Sequence, residues 1–210
     1  MNDSPADVCG LESVPRASAL AAYRATFSAL SAKTAGAIVL GELAPLAQIN
    51  LRGDPGDTTF LAAVRRALEL DLPTTPNTTV RAAGVTALWL GPDEWLVVGD
   101  AGVDAAIRSR LGEELGGRHA SVVDVGSHRV VLSLTGRASR TLLMKGCGID
   151  LHPRAFAPGR CAQTTFARTT LLLEQTGDLP AWRLYVRRSF APYLASWLVD
   201  AAEESVISHR

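Results

Sequence analysis

The stretch VTALWLGPDEWLVVGD, residues 85–100, carries apolar residues on both sides of a Gly91-Pro92-Asp93-Glu94 turn. That composition predicts two strands folded back on each other. Trp89 and Trp95 flank the turn, and whether they share a face depends on the turn type. Core packing is the expected role of at least one of them. Immediately upstream, LPTTPNTTV (72–80) reads as a loop. Before it, TTFLAAVRRALEL (58–70) has Phe60, Leu61, Val64 and Leu68 at helical spacing, with Asp57 or Thr58 as N-cap. AQINLRG (47–53) is a short strand ending in a turn. Downstream, GVDAAIRSRLGEEL (102–115) stacks Ile107, Leu111 and Leu115 on one helical face.

The same order then recurs. ASVVDVGSHRVVLSLTG (120–136) is strand material, RASRTLLMK (137–145) a short helix, CAQTTFARTTLLLEQTGDLPAWRLYVRR (161–188) a strand pair, and APYLASWLVDAAEE (191–204) a closing helix. Gly53 and Gly136 end equivalent strands 83 positions apart, and Trp95 and Trp182 lie 87 apart on equivalent hairpin strands. Ile107 and Leu111 reach Leu194 and Leu198 at that second offset. The pattern is a two-copy β-α-β-β-α repeat, spanning about 44–116 and 120–203. It predicts an α+β fold of mainly antiparallel sheets with helices packed on one face, the two modules forming one unit over 16–210. An amphipathic helix with Leu20, Phe27 and Leu30 on one face precedes the repeat, and AGAIVLGELAPL (35–46) breaks it. Residues 1–15 read as a flexible tail.

Composition narrows the function classes. Lys and Arg total 21 and so do Asp and Glu, a balance that argues against a nucleic-acid partner. The three cysteines contain no C-x-x-C pair, which suits a reducing, cytoplasmic setting. No apolar run approaches the roughly 20 residues that span a bilayer, so no membrane partner is expected. MNDSPADVCG (1–10) is acidic and lacks the apolar core of a secretory signal.

One segment resembles a reactive site. KGCGIDLHP (145–153) places Lys145, Cys147, Asp150 and His152 close together, with Arg154 next. A zinc site needs three or four ligands; Cys147 and His152 give two at a spacing that fits no common finger, with Asp150 as a third and Cys161 or His128 as a fourth. A cysteine nucleophile needs a base and an orienting group, and a helix C-terminus disfavours the thiolate. Turn chemistry accounts for each residue: Gly146 and Gly148 end a helix, Asp150 makes an Asx turn, and Pro153 prevents continuation. Lys145, Cys147, Asp150, His152 and Arg154 are therefore candidate interface or turn residues. No residue is assigned as catalytic, cofactor-binding or metal-binding. RGDPGD (52–57) and GRASR (136–140) lack the spacing of a phosphate cradle, and no G-x-S-x-G or H-E-x-x-H occurs. YVRRSFAPY (185–193) combines aromatics with Arg187 and Arg188, a composition that fits either a protein interface or a solvated strand end.

Three motifs together resemble the gamma subunits of heterotetrameric sarcosine oxidase: LAQINLRGDPGDTTFLAAVRRAL (46–68), ALWLGPDEWLVVG (87–99) and LLMKGCGIDLHPRAFAPGRCAQT (142–164). The resemblance runs from about Ala44 to Ala201 and implies a fold like the folate-binding domain of aminomethyltransferases. It also implies a complex that oxidises sarcosine to glycine, hydrogen peroxide and a one-carbon unit passed to tetrahydrofolate. By the same resemblance FAD, FMN, NAD, zinc and tetrahydrofolate belong to the alpha, beta and delta subunits. This chain is then cofactor-free, with a structural or assembly role.

VVDVGSHRVVLSLTGRASRTLL (122–143) is similar to the aminomethyltransferase stretch that leads into the folate pocket, where a Gly-Gly-x-x-Asp-Asp hairpin supplies the functional aspartate. The matching hairpin here, FARTTLLLEQ (166–175), has Thr169 and Thr170 instead. Lys145-Gly146-Cys147 resembles the motif of folate-binding iron–sulfur assembly proteins, but the chain continues differently. The alternative reading, a stand-alone folate-binding or aminomethyl-transfer protein, rests on fold analogy alone.

Overall fold

The hairpin at 85–100 forms as read and seeds the first of two sheets. A computed structural model describes residues 18–177 and 180–207. A 3-10 turn, Ala21–Tyr23, leads into α1 (Arg24–Lys33), β1 (Val39–Glu42) and β2 (Ala47–Arg52). Then follow α2 (Thr58–Leu68), β3 (Thr79–Ala82), β4 (Val85–Gly91), β5 (Glu94–Gly99) and α3 (Asp104–Leu115). The second half contains β6 (Ser121–Asp124), β7 (Arg129–Thr135), α4 (Ser139–Met144), β8 (Cys161–Phe166), β9 (Thr169–Gly177), β10 (Ala181–Arg187) and α5 (Ala191–Ile207). The tail expected over residues 1–15 lies outside the described residues.

Trp89 and Trp95 are direct partners across β4 and β5, so they share a face. Trp95 is fully buried there, 6.0 Å from the Phe60 ring, and its indole N–H donates to the Pro73 carbonyl at 2.8 Å. Its counterpart Trp182 is equally buried, stacks on Phe156 at 5.8 Å and donates to the Ser139 hydroxyl at 3.1 Å. Each tryptophan thus fixes a sheet to its own helices. Asp57 is the N-cap of α2, its Oδ1 accepting from the Thr59 N–H at 2.8 Å.

The two sheets are five-stranded, ordered β3-β4-β5-β2-β6 and β1-β7-β10-β9-β8, with every pair antiparallel. Helices cover the outer face of each sheet. The inner faces meet through Leu88, Leu90, Leu96 and Val98 against Val131, Cys161, Leu172 and Tyr185. Burial of each large apolar side chain stabilises the stack by about 1.5–3 kcal/mol.

The edges depart from a simple repeat. β1 precedes the first module but pairs with β7 of the second, while β6 opens the second and pairs with β2 of the first. Reciprocal bonds continue the exchange: the Leu43 N–H donates to the Val131 carbonyl at 2.9 Å and the Val125 N–H to the Gln48 carbonyl at 2.8 Å. At the opposite edge, Thr79 donates to the Gly159 carbonyl at 2.9 Å and Cys161 to that of Asn77 at 3.0 Å, stitching one sheet to the other.

Each module therefore holds more strands than the repeat pattern assigned. β1 lies within the expected break at 35–46, and β3 begins within the expected loop at 72–80. Residues 120–136 divide between two sheets, and 161–188 make three strands rather than a pair. The physical reason is shortness. β1, β3 and β6 are four-residue edges whose half-exposed side chains give little period-two signal.

Gly136 is where β7 turns into α4. Its φ is +105°, and a Cβ there would lie 2.3 Å from the Ala37 carbonyl oxygen, which accepts the Ala138 N–H. The N-terminal half thereby holds the second module's turn.

Because each sheet takes an edge from the other module, neither half is self-sufficient. Residues 120–210 expressed alone are expected to show no sharp monomeric thermal transition by circular dichroism. Recovery of the full chain's cooperative melt from that fragment would contradict the exchanged-edge account.

Candidate functional site

The segment after α4 is shaped from beneath. The Cys147 N–H donates to the Leu143 carbonyl at 3.0 Å, and the Gly146 carbonyl accepts from Ala167 at 2.8 Å, laying the chain against the end of β8. A Cβ at Gly146 would come within 2.7 Å of Trp197 and 2.9 Å of Phe166, two rings in edge-to-face contact at 4.9 Å. Asp150 Oδ1 accepts the His152 N–H at 2.8 Å, an Asx turn, and His152 Nδ1 accepts from the Arg154 N–H at 3.2 Å. Leu151 and Phe156 insert into the core on either side.

Arg140 clamps this loop. Its guanidinium donates to the carbonyls of Leu151 and Phe156 and to Gln175 Oε1, and it sits 4.9 Å over the Trp182 ring. Burial holds it below its ordinary value. Asp150, His152 and Arg154 consequently lie along one exposed turn. Lys145 Nζ instead donates to the Ala201 carbonyl at 2.6 Å on α5, and Cys147 is half-buried against the core. The residues considered as further zinc ligands do not join them: Cys161 is buried between the sheets, and His128 precedes β7. Among the described residues, no cluster of three or more His, Cys, Asp or Glu could hold a metal ion.

A second polar group had no reading in the sequence. Cys161, Glu174 and Arg183 are register partners in one row across β8, β9 and β10. Glu174 is 2% exposed, its Oε2 accepting from the Tyr185 hydroxyl at 2.7 Å with Arg183 Nη1 at 3.9 Å. Burial first, then the Glu174 charge, pushes Tyr185 well above its ordinary value. The same two causes, in that order, push the Cys161 thiol up to about 12. Tyr185 and Cys161 are thereby held neutral, and neither is a nucleophile poised near neutrality. The available signal was Glu174 itself, a charge within the apolar run TTLLLEQ.

Two clefts open on either side of Arg129. The larger, about 1040 Å³, lies between α1, β1 and the β6–β7 connection, and is lined by Arg24, Glu42, Gln48, Ser127, Arg129 and Arg188 among others. The smaller, about 380 Å³, is bounded by Arg129, Thr165, Thr170, Tyr185 and Arg187. The β8–β9 hairpin beside it carries Thr169 and Thr170 and no carboxylate at those positions.

Residues 52–204 match a family model described as sarcosine oxidase, gamma subunit family. The chain belongs to the sarcosine oxidase gamma subunit family. It is 40% identical over 172 residues to the sarcosine oxidase subunit gamma of Arthrobacter sp., covering 81% of this chain and 83% of that protein. Identity to the subunit gamma of Corynebacterium sp. strain U-96 is 36% over 206 residues, 97% of this chain and 96% of the relative. A chain of the solved heterotetrameric sarcosine oxidase from Corynebacterium sp. U-96, in complex with pyrrole 2-carboxylate, superposes with a TM-score of 0.83 at 35% identity, covering 91% of this chain and 96% of that one. The glycine cleavage system aminomethyltransferase T of Bartonella henselae has the same fold, with a TM-score of 0.61 at 14% identity over 81% of this chain and 48% of that one. Membership in the family and the aminomethyltransferase-like fold both agree with the sequence motifs.

The buried Cys161 predicts an alkaline signature. An unfolded thiol ionises near its ordinary value of 9.0, whereas the folded one holds its proton to about 12. The stabilisation is fully present below pH 9.0 and is lost as pH rises from there toward 12. Within that window Cys161 contributes a slope of about 1.4 kcal/mol per pH unit at most. Cys161→Ala should flatten the alkaline arm of a urea-unfolding series relative to wild type. An unchanged slope would show that the thiol does not carry it.

Proposed function

We propose that this chain is the cofactor-free gamma subunit of a heterotetrameric sarcosine oxidase, contributing structure and assembly rather than a catalytic group. The observation that carries this is the near-complete superposition, TM-score 0.83, on a chain of a heterotetrameric sarcosine oxidase. The reaction is then oxidative demethylation of sarcosine to glycine and hydrogen peroxide, with a one-carbon unit passed to tetrahydrofolate. FAD, FMN, NAD, zinc and tetrahydrofolate reside on the alpha, beta and delta subunits in this reading, and the complex is cytoplasmic. No helix among the described residues is long and apolar enough to cross a membrane.

The alternative, a stand-alone folate-binding or aminomethyl-transfer protein, has weaker support. Thr169 and Thr170 stand where that hairpin would carry acid, and the nearby Glu174 is already engaged by Tyr185. The experiment that decides is co-expression with the three other subunits, followed by size-exclusion chromatography, mass spectrometry and a sarcosine-dependent peroxide assay. Co-elution of all four chains supports the subunit reading, and a chain that elutes alone while binding folate supports the alternative.

Within this proposal the exposed turn at Asp150, His152 and Arg154, bordered by Lys145 and Cys147, is a docking element. Asp150→Ala with His152→Ala should weaken assembly at least tenfold, about 1.4 kcal/mol. The isolated chain's melting temperature should change little, because Leu151, Phe156 and Arg140 hold the loop from below. A fall in melting temperature that accounts for the whole loss would make the turn a folding element only. Cys147→Ser should leave sarcosine oxidation by the complex within a few-fold of wild type.

A further inference from the structure

Arg129 opens β7, Arg187 closes β10, and the two are direct partners in the antiparallel register. Like charges so placed repel each other. Among the described residues, neither has a carboxylate within ion-pair distance. Burial, and after it the Arg187 charge, holds the Arg129 guanidinium below its ordinary value, with Glu94 opposing. His128, next in sequence, is lowered by burial and by both arginines. The acids in the neighbourhood have other work. Glu42 accepts from the Ser18 hydroxyl and the Ala19 N–H, and Glu94 accepts from Asn50 Nδ2 at 2.7 Å.

Arg129 is also the wall shared by the two clefts. Arg24 lines the larger one with it; among the described residues Glu42 is the one acid lining the larger cleft, and none lines the smaller. Gln48 ties the larger cleft to Arg129. It lines the larger cleft at 1% exposure, its Nε2 donates to the Arg129 carbonyl at 3.3 Å, and its Oε1 is buried without a donor among the described residues. An occupant that satisfied this region would bring carboxylates for the arginines. The arginines are spread over both clefts, and an acidic polypeptide segment brings several carboxylates at once, which a single small anion does not.

We propose that the arginine-lined clefts receive an acidic polypeptide segment of a neighbouring subunit, whose carboxylates pair with Arg129 and Arg187. This rests on the subunit reading above and assigns a surface separate from the turn at Asp150–Arg154. The facing Arg129 and Arg187, with no ion-pair partner among the described residues, are what identify the occupant. Relief of the arginine repulsion supplies a driving force that grows as salt is lowered.

The test compares the full-length chain with its Arg129→Gln/Arg187→Gln variant in association with the partner subunits, at low and at physiological ionic strength. The variant should bind at least about tenfold more weakly at low salt and lose most of its salt dependence. Its own melting temperature should equal or exceed wild type, since the like-charge pair is gone, and Arg129→Lys/Arg187→Lys should retain most of the affinity. In parallel, calorimetric titration of the isolated wild-type chain with a glutamate-rich peptide should show binding that the Gln variant lacks. Unchanged association and no peptide binding would overturn the assignment, as would citrate binding that matches the peptide's and shares its arginine dependence. Failure of the wild-type chain to associate with the partner subunits would refute the subunit reading, while the peptide titration would still judge the cleft.

Discussion

The exchange of β1 and β6 between the two sheets is the constraint on which the rest of the structure depends. Without β1, β7 becomes an exposed edge and Leu40 leaves its buried place beside it; without β6, β2 suffers the same loss. An unpaired central strand presents a row of unsatisfied backbone groups. The exchange also draws together the elements that line the larger cleft: α1 and β1 from one half, and the β6–β7 connection from the other. Fold and cleft are thus consequences of one pairing choice.

Polar groups inside the stack follow a common rule. Glu174 is tolerated because Tyr185 donates to it and Arg183 is near, and Trp95, Trp182 and Arg140 each find carbonyl or hydroxyl partners within reach. A buried polar group with a partner rigidifies the fold, and one without it is expensive. Where the rule is broken, at the buried Gln48 Oε1, the exception lies beside the larger cleft. Among the described residues, no other buried side-chain nitrogen or oxygen lacks a partner.

Much of this was legible before any coordinates. The hairpin around Trp95 and the helices α2, α3 and α5 follow from local periodicity, which records what each element buries, and the correspondence of Trp95 with Trp182 follows from their matching place in the repeat. The Asx turn at Asp150 was equally readable, because its partner is two residues away. Partner choice between distant strands leaves no such local trace, so the edges and their exchange stayed hidden. Arg140 was hidden for another reason. It lies in GRASR, a turn-like string weighed for phosphate binding, and its actual partners, Leu151, Phe156 and Gln175, are 11 to 35 positions away. Glu174 and the clefts likewise require three-dimensional neighbours to be interpreted.

The exchanged edge also sets a timetable for synthesis. Val39 pairs with Thr135, so 96 residues separate β1 from its strand partner, while Arg52 in β2 waits for Ser121 in β6. At roughly 5–20 residues per second on the ribosome, β1 is made several seconds before anything can pair with it. During that interval α1 and β1 form a nascent amphipathic segment with an open edge, the kind of surface that chaperones hold and aggregates recruit. The N-terminal sheet cannot complete itself until the second module has begun to emerge. The halves of this chain therefore mature together, and the yield of folded protein in the cell depends on how well that first strand is protected while it waits.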